Sequence, residues 1–79
     1  MPRQLVKLTF PTRLIKEPVT YRMAMKYKLV PNIRRAKVTT TVGELVLELT
    51  GTKENLDRGL TYLTKRGVKV EPVVGDIVE

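Results

Sequence analysis

The sequence predicts an α+β fold in which a four-stranded antiparallel sheet carries two helices on one face. Apolar and polar residues alternate in some segments, as in strands with one buried face. In other segments the apolar residues recur at helical spacing. These segments follow one another in the order β-α-β-β-α-β. From the short length we expect one domain, residues 1–79, with residues 75–79 as a loose tail.

The first predicted strand spans residues 4–10 and the first predicted helix spans residues 16–29. Pro11 ends the strand because it cannot donate to a ladder. Pro18 suits the first helical turn, where its missing N–H costs no bond, and Pro31 ends the helix because the residue before a proline disfavours the α region. The apolar stripe of this helix consists of Val19, Met23 and Tyr27.

Residues 33–42 and 44–50 are predicted to form a hairpin that turns at Gly43. The first of these strands is β-branched and charged, which is typical of an edge strand. The second strand alternates most regularly, with leucines facing inward and glutamates outward. Asn32 is expected in a turn between the first helix and this hairpin.

The second predicted helix begins after Thr52, a good N-cap, and ends at Gly67. Gly59 lies on its apolar stripe, so we expect close packing of the helix backbone on the sheet. Residues 68–74 form the last predicted strand. Two right-handed crossovers around a hairpin give the split βαβ, or ferredoxin-like, fold.

The composition excludes several classes of function. The chain has no Cys, His, Ser or Trp. Disulfides, Cys-ligated clusters and Ser–His or Cys–His catalysis are therefore impossible. We predict a protein that is not an enzyme and that uses no cofactor and no metal. Since no signal peptide or apolar run of about 20 residues is present, we expect a cytoplasmic protein without membrane contact.

The charge is unevenly distributed along the chain. Residues 1–42 carry ten basic residues and one acidic residue, and residues 43–79 carry five basic and seven acidic residues. This polarity indicates an anionic partner or a self-complementary assembly. A nucleic-acid partner is the weaker alternative because the aromatic stacking platform of RNA-recognition modules is missing. The outward positions of the two central strands are Lys7, Thr9, Val46 and Glu48.

The segment from Pro31 to Arg35 is the candidate binding site. The side chain of Asn32 offers a donor and an acceptor, so it can recognise the ammonium or carboxylate group of an amino acid. Arg34 or Arg35 can supply charge to a carboxylate. An apolar ligand side chain would rest on Ile33 and on a methionine of the first helix, Met23 or Met25. An ordinary structural turn at Asn32 is the alternative.

Nearly the whole chain resembles the NIL domain, a small ferredoxin-like module found at the C-terminus of methionine-importer ATPase subunits and at the N-terminus of certain ferredoxins. The resemblance lies in the order and spacing of several short motifs. They are Leu8-Thr9-Phe10-Pro11, Glu17-Pro18-Val19, Asn32-Ile33, Gly43-Glu44-Leu45, Leu47-Glu48-Leu49 and Gly67-Val68-Lys69-Val70. The N-terminal and C-terminal motifs are most similar to the ferredoxin-linked branch. In that branch an iron–sulfur module would follow. This sequence ends at Glu79 with no Cys, so we expect a free-standing version or an excised domain.

In the importer branch, the resemblance implies a homodimer that binds methionine near the residues matching Asn32 and Ile33. Ligand binding there inhibits transport. Arg34 departs from the family pattern, in which leucine is expected, and makes the site more cationic. A more anionic or different sulfur-containing ligand therefore stays open beside methionine.

Three functions follow from these observations. The first is a dimeric regulatory domain for methionine or a related sulfur-containing amino acid. The second is an adaptor that docks its basic half to a ferredoxin or another acidic protein of sulfur metabolism. The third, less favoured, is charge-driven binding of nucleic acid. A dimer is expected because the small core is marginal and two sheet edges stay exposed.

Overall fold

The computed structural model of this chain describes residues 2–74; the predicted tail, residues 75–79, lies outside them. The strands lie in the order β2-β3-β1-β4, and each neighbouring pair is antiparallel. This arrangement confirms the predicted fold class. The elements are β1 (Arg3–Phe10), α1 (Val19–Tyr27), β2 (Val30–Val38), β3 (Gly43–Thr50), α2 (Lys53–Arg66) and β4 (Lys69–Pro72).

The core lies between the sheet and the two helices. The central strands β1 and β3 supply alternate residues to it, as their period of two predicts. Register pairs Val6 with Leu47 and Leu8 with Leu45, so apolar rows of the two strands lie side by side. The fully buried large side chains are Leu8, Leu14, Met23, Leu47, Leu49, Leu63, Val6 and Val19.

The first helix is shorter than predicted. It ends at Tyr27, and its C-cap Lys28 adopts the left-handed conformation (φ 54°) and donates its backbone N–H to the carbonyl of Ala24. The predicted stop at Pro31 is therefore wrong: the helix ends earlier by an αL cap. The chain before α1 forms a 3₁₀ turn, Thr12–Leu14, anchored by buried Leu14.

The second strand begins earlier than predicted. It starts at Val30, so Pro31 and Asn32 lie inside a strand and the predicted turn at Asn32 is wrong. Proline is tolerated here because β2 is an edge strand. The hairpin turns before Gly43, where the hydroxyl oxygen of Thr39 accepts the backbone N–H of Val42 at 2.9 Å.

The predicted ends of the second helix are confirmed. The Oγ1 atom of Thr52 accepts the backbone N–H of Asn55 at 3.1 Å, and Gly67 adopts a left-handed conformation (φ 103°). The helix backbone is closely packed at Gly59, as predicted, but the neighbouring residues are not those of the sheet. A Cβ atom there would lie 2.6 Å from Cδ1 of Leu29 and 3.0 Å from Sδ of Met23. Gly59 thus packs against α1 and the residues that follow it, not against the sheet.

Candidate functional site

The candidate site is built on β2, which is exposed along its whole length. All nine of its residues, Val30–Val38, are exposed, and its ladder partner is β3. An edge strand leaves a row of backbone N–H and C=O groups open to a ligand or another chain. The sequence predicted an edge strand here, and the strand order confirms it.

The helix-side row of β2 is apolar but uncovered. Ile33 and Val38 lie opposite Leu47 and Gly43, yet each has 59% of its surface exposed. The helix-side row consists of Pro31, Ile33, Ala36 and Val38. On α1, Tyr21 and Met25 are also exposed, and they lie four residues apart on one helix face. Uncovered apolar side chains on a strand and on a helix are typical of an interaction surface.

The outward row of β2 is polar and basic. Asn32 lies opposite Glu48, and Lys37 lies opposite Glu44. Both glutamates also lie near cations of β1: Lys7 Nζ is 3.5 Å from a carboxylate oxygen of Glu44, and Arg3 Nη1 is 3.9 Å from one of Glu48. Glu44 thus lies between Lys7 of β1 and Lys37 of β2, whereas Glu48 lies between Arg3 of β1 and Asn32 of β2. The basic residues of β1 and β2 are Arg3, Lys7, Arg34, Arg35 and Lys37.

A β-bulge at Arg34 joins the two halves of β2. Ile33 pairs with Leu47 and Arg35 pairs with Val46, so Arg34 is the extra residue. The bulge keeps Ala36 and Val38 on the same face of the sheet as Ile33. Without it, a shift of one residue would turn Ala36 to the outward face. The Arg34-Arg35 pair in the sequence marks the point where the alternation breaks.

The sequence profile of the NIL domain family matches residues 4–72 of this chain. This chain belongs to the NIL domain family. NIL domains are regulatory and non-catalytic, which argues against enzymatic activity. The assignment to the ferredoxin-linked branch stays a prediction.

A solved structure similar to this NIL domain is the C-terminal domain of an ABC transporter ATP-binding protein from Enterococcus faecalis. The two share 23% sequence identity with a TM-score of 0.82. The alignment covers 92% of this chain and 86% of that one. At this identity the likeness establishes the shared fold. A search of curated protein sequences finds no match.

The predicted site residues of the NIL domain lie in three different settings. Asn32, Arg34 and Arg35 lie together on β2 around the bulge. Ile33 is close in sequence but belongs to the helix-side row, opposite to the row of Asn32. Met23 has no exposed surface and fills the core, which corrects its prediction as a ligand contact. Met25 is the exposed methionine of the pair.

Sequence reasoning missed a small apolar cavity of about 130 Å³ at one end of β2. It lies between the start of α1, the segment that precedes α1, and the hairpin. Tyr21 and Val38 both line it, so it is continuous with the exposed apolar row. The signal in the sequence is the apolar pair Leu14-Ile15 between Pro11 and Pro18, which predicts a packed connection rather than a solvated loop.

Within residues 2–74, no group of three or more Asp or Glu side chains is placed to hold a metal ion. Neither α1 nor α2 is long and apolar enough to cross a membrane.

Proposed function

We propose that this NIL domain is a regulatory domain that binds methionine or a related sulfur-containing amino acid and acts as a homodimer. The observation that carries the proposal is the exposed strand β2, which holds Asn32 and a bulge beside an uncovered apolar row. Family membership supports a regulatory role. The structural neighbour, a domain of a transporter ATP-binding protein, is consistent with it.

Asn32 and Ile33 face opposite sides of the sheet, and both flank the free edge of β2. An amino acid lying along that edge can therefore reach both side chains. The Asn32 amide would hold its polar end by hydrogen bonds, and the guanidinium of Arg34 would pair with its carboxylate. Its apolar side chain would rest on Ile33 and the thioether of Met25, which adapts to varied shapes.

The proposed homodimer would use the same strand. The bulge at Arg34 interrupts regular pairing, so a second copy has residues 36–38 available for a ladder and leaves residues 32–34 to the ligand. Pairing would cover Val38 and the apolar cavity beside it. Basic residues of the two copies would then approach one another, and a bound carboxylate would reduce their repulsion.

The test is calorimetric titration of the chain with L-methionine. Asn32→Ala should raise Kd by roughly 5- to 150-fold, the effect of losing hydrogen bonds worth about 1–3 kcal/mol. Asn55→Ala is the matched control, since Asn55 is the other asparagine of the chain and lies in α2. It should leave Kd unchanged.

Two further ligands define the chemistry of the site. L-norleucine has the shape of methionine without sulfur, and L-cysteate combines sulfur with a second negative charge. Tighter binding of L-cysteate than of L-methionine would show that the basic residues of β2 set the ligand preference. An absence of heat with all sulfur-containing amino acids would contradict the proposal, and so would an equal loss in Asn32→Ala and Asn55→Ala.

A further inference from the structure

A groove of about 620 Å³ runs along the outer surface of the two helices. Residues of α2 line it at positions 57, 58, 61, 62, 65 and 66, which is the spacing of one helix face. The end of α1 supplies Lys26 and Tyr27. No residue of β2 lines the groove, so it is separate from the candidate ligand site and stays open when β2 is covered.

The groove is basic. Its cations are Lys26, Arg58, Lys65 and Arg66, and its acidic residue is Asp57. Some of this charge is already compensated: Arg58 lies 2.6 Å from a carboxylate oxygen of Glu54, and Asp57 lies 3.5 Å from Lys53 Nζ.

Two further cations complete the groove. Arg66 Nη2 lies 3.3 Å from a carboxylate oxygen of Glu17, outside the groove. Lys65 forms no ion pair within residues 2–74, and its side chain is exposed in the last turn of α2. The groove therefore has positive charge available for a negatively charged partner.

The floor of the groove is a tyrosine pair. The rings of Tyr27 and Tyr62 lie edge to face, with 5.8 Å between their centroids. Lys26 Nζ lies 5.7 Å from the first centroid and 5.6 Å from the second, so one ammonium group contacts both rings. This contact fixes Lys26 at the groove and leaves its N–H groups able to donate to an acceptor.

The same contact decides which class of anion fits. Bases of single-stranded nucleic acid bind by stacking on exposed aromatic faces. Tyr27 and Tyr62 are half-buried, pack against each other and carry Lys26 over their rings, which leaves less of each ring face for stacking. Carboxylates need only cationic donors, which Lys26 and Lys65 supply.

We propose that this groove binds an acidic segment of a partner protein, with Lys26 and Lys65 as its main charge contacts. A regulatory domain needs a surface that reports its state to another protein, and this groove lies away from β2. The interaction is electrostatic, so it should weaken as ionic strength rises.

The experiment measures fluorescence anisotropy of a labelled oligoglutamate peptide with the full chain, at low and at moderate ionic strength. The paired variant Lys26→Gln with Lys65→Glu should weaken binding by roughly tenfold. The control is Lys69→Glu in β4, an exposed lysine outside the groove, which should change binding by less than about twofold because it alters net charge alone. If the paired variant unfolds, Lys65→Glu alone is measured in its place, since Lys65 makes no ion pair with any residue from 2 to 74.

An equal loss in Lys69→Glu would overturn the proposal, because binding would then depend on total charge. Tighter binding of oligothymidylate, lost in the same groove variants, would also overturn it and assign the groove to nucleic acid. So would an absence of saturable peptide binding at low ionic strength. All of these outcomes are independent of methionine binding at β2, so this proposal and the proposed function fail separately.

Discussion

Ile33 lies directly opposite Leu47 on the same face of the sheet, yet Leu47 is fully buried and Ile33 is 59% exposed. The helices cover β3 and leave β2 open. An apolar side chain left exposed at a sheet edge adds little to the stability of the monomer. It is available to a second copy or to a ligand.

This contrast predicts unequal costs for the two truncations. Leu47→Ala should lower the free energy of unfolding by about 2–5 kcal/mol, since it leaves a cavity in the core. Ile33→Ala should lower it by about 0.5 kcal/mol, as expected for an exposed position. Urea denaturation at a concentration low enough to keep the chain monomeric measures both. Equal losses would mean that Ile33 is covered within one chain.

Dimerisation through β2 predicts that a charge at Ile33 separates the copies. At micromolar concentration the parent chain should sediment at twice its 9.0 kDa mass, and Ile33→Glu should sediment at 9.0 kDa. Val74→Glu is the control, because Val74 is an exposed apolar residue outside β2. It should remain a dimer. A parent chain that sediments only as a monomer contradicts the dimer.

The bulge predicts different outcomes for two deletions in β2. Removing Arg34 leaves Ile33, Arg35 and Ala36 in regular alternation, so the strand can pair without a bulge. The free energy of unfolding should stay within about 1 kcal/mol of the parent value. Methionine binding should weaken, since the Arg34 guanidinium is lost.

Deletion of Ala36 is the comparison for this variant. It brings Lys37 into the helix-side row while the bulge is kept, so the apolar surface loses its continuity and the dimer should dissociate. Sedimentation and calorimetry of both deletion variants check these outcomes. Identical behaviour of the two variants would show that the phase of β2 has no role.

Lys28 and Gly67 both hold the left-handed conformation after a helix, so gaining a glycine at the first and losing the glycine at the second should change stability in opposite directions. Lys28 holds the left-handed conformation at a cost that glycine avoids, so Lys28→Gly should stabilise the chain by up to about 1 kcal/mol. Gly67→Ala should destabilise it by about 1–2 kcal/mol, because alanine is strained at φ 103°. Thermal unfolding measures both variants. A stabilising Gly67→Ala would contradict the left-handed cap of α2.

The sequence predicted β3 and the caps of α2 correctly because each depends on local chemistry. Leu45, Leu47 and Leu49 recur at every second position of β3, and this period matches one buried face. Thr52 favours the N-cap position of a helix, and Gly67 favours the left-handed conformation that ends one. Such signals need no knowledge of the rest of the chain.

The start of β2 was not predictable in the same way. Pro31 is a strong stop signal in isolation, but it is tolerated at a sheet edge, and the edge position of β2 is a property of the assembled sheet. The extra residue of the bulge, Arg34, interrupts the alternation of apolar and polar residues along β2. Met23 lies on the predicted apolar stripe of the first helix and is buried with Val19, so the helical spacing itself argued against Met23 as a ligand contact.

The most direct test of the central proposal is to follow the backbone amide NMR signals of the chain as L-methionine is added. We expect saturable shifts concentrated in residues 30–38, with Asn32 and Arg34 among the largest, and little change in β4, the other sheet edge. Shifts confined to residues 69–72, or no shifts at saturating L-methionine, would contradict the assignment of β2 as the ligand site.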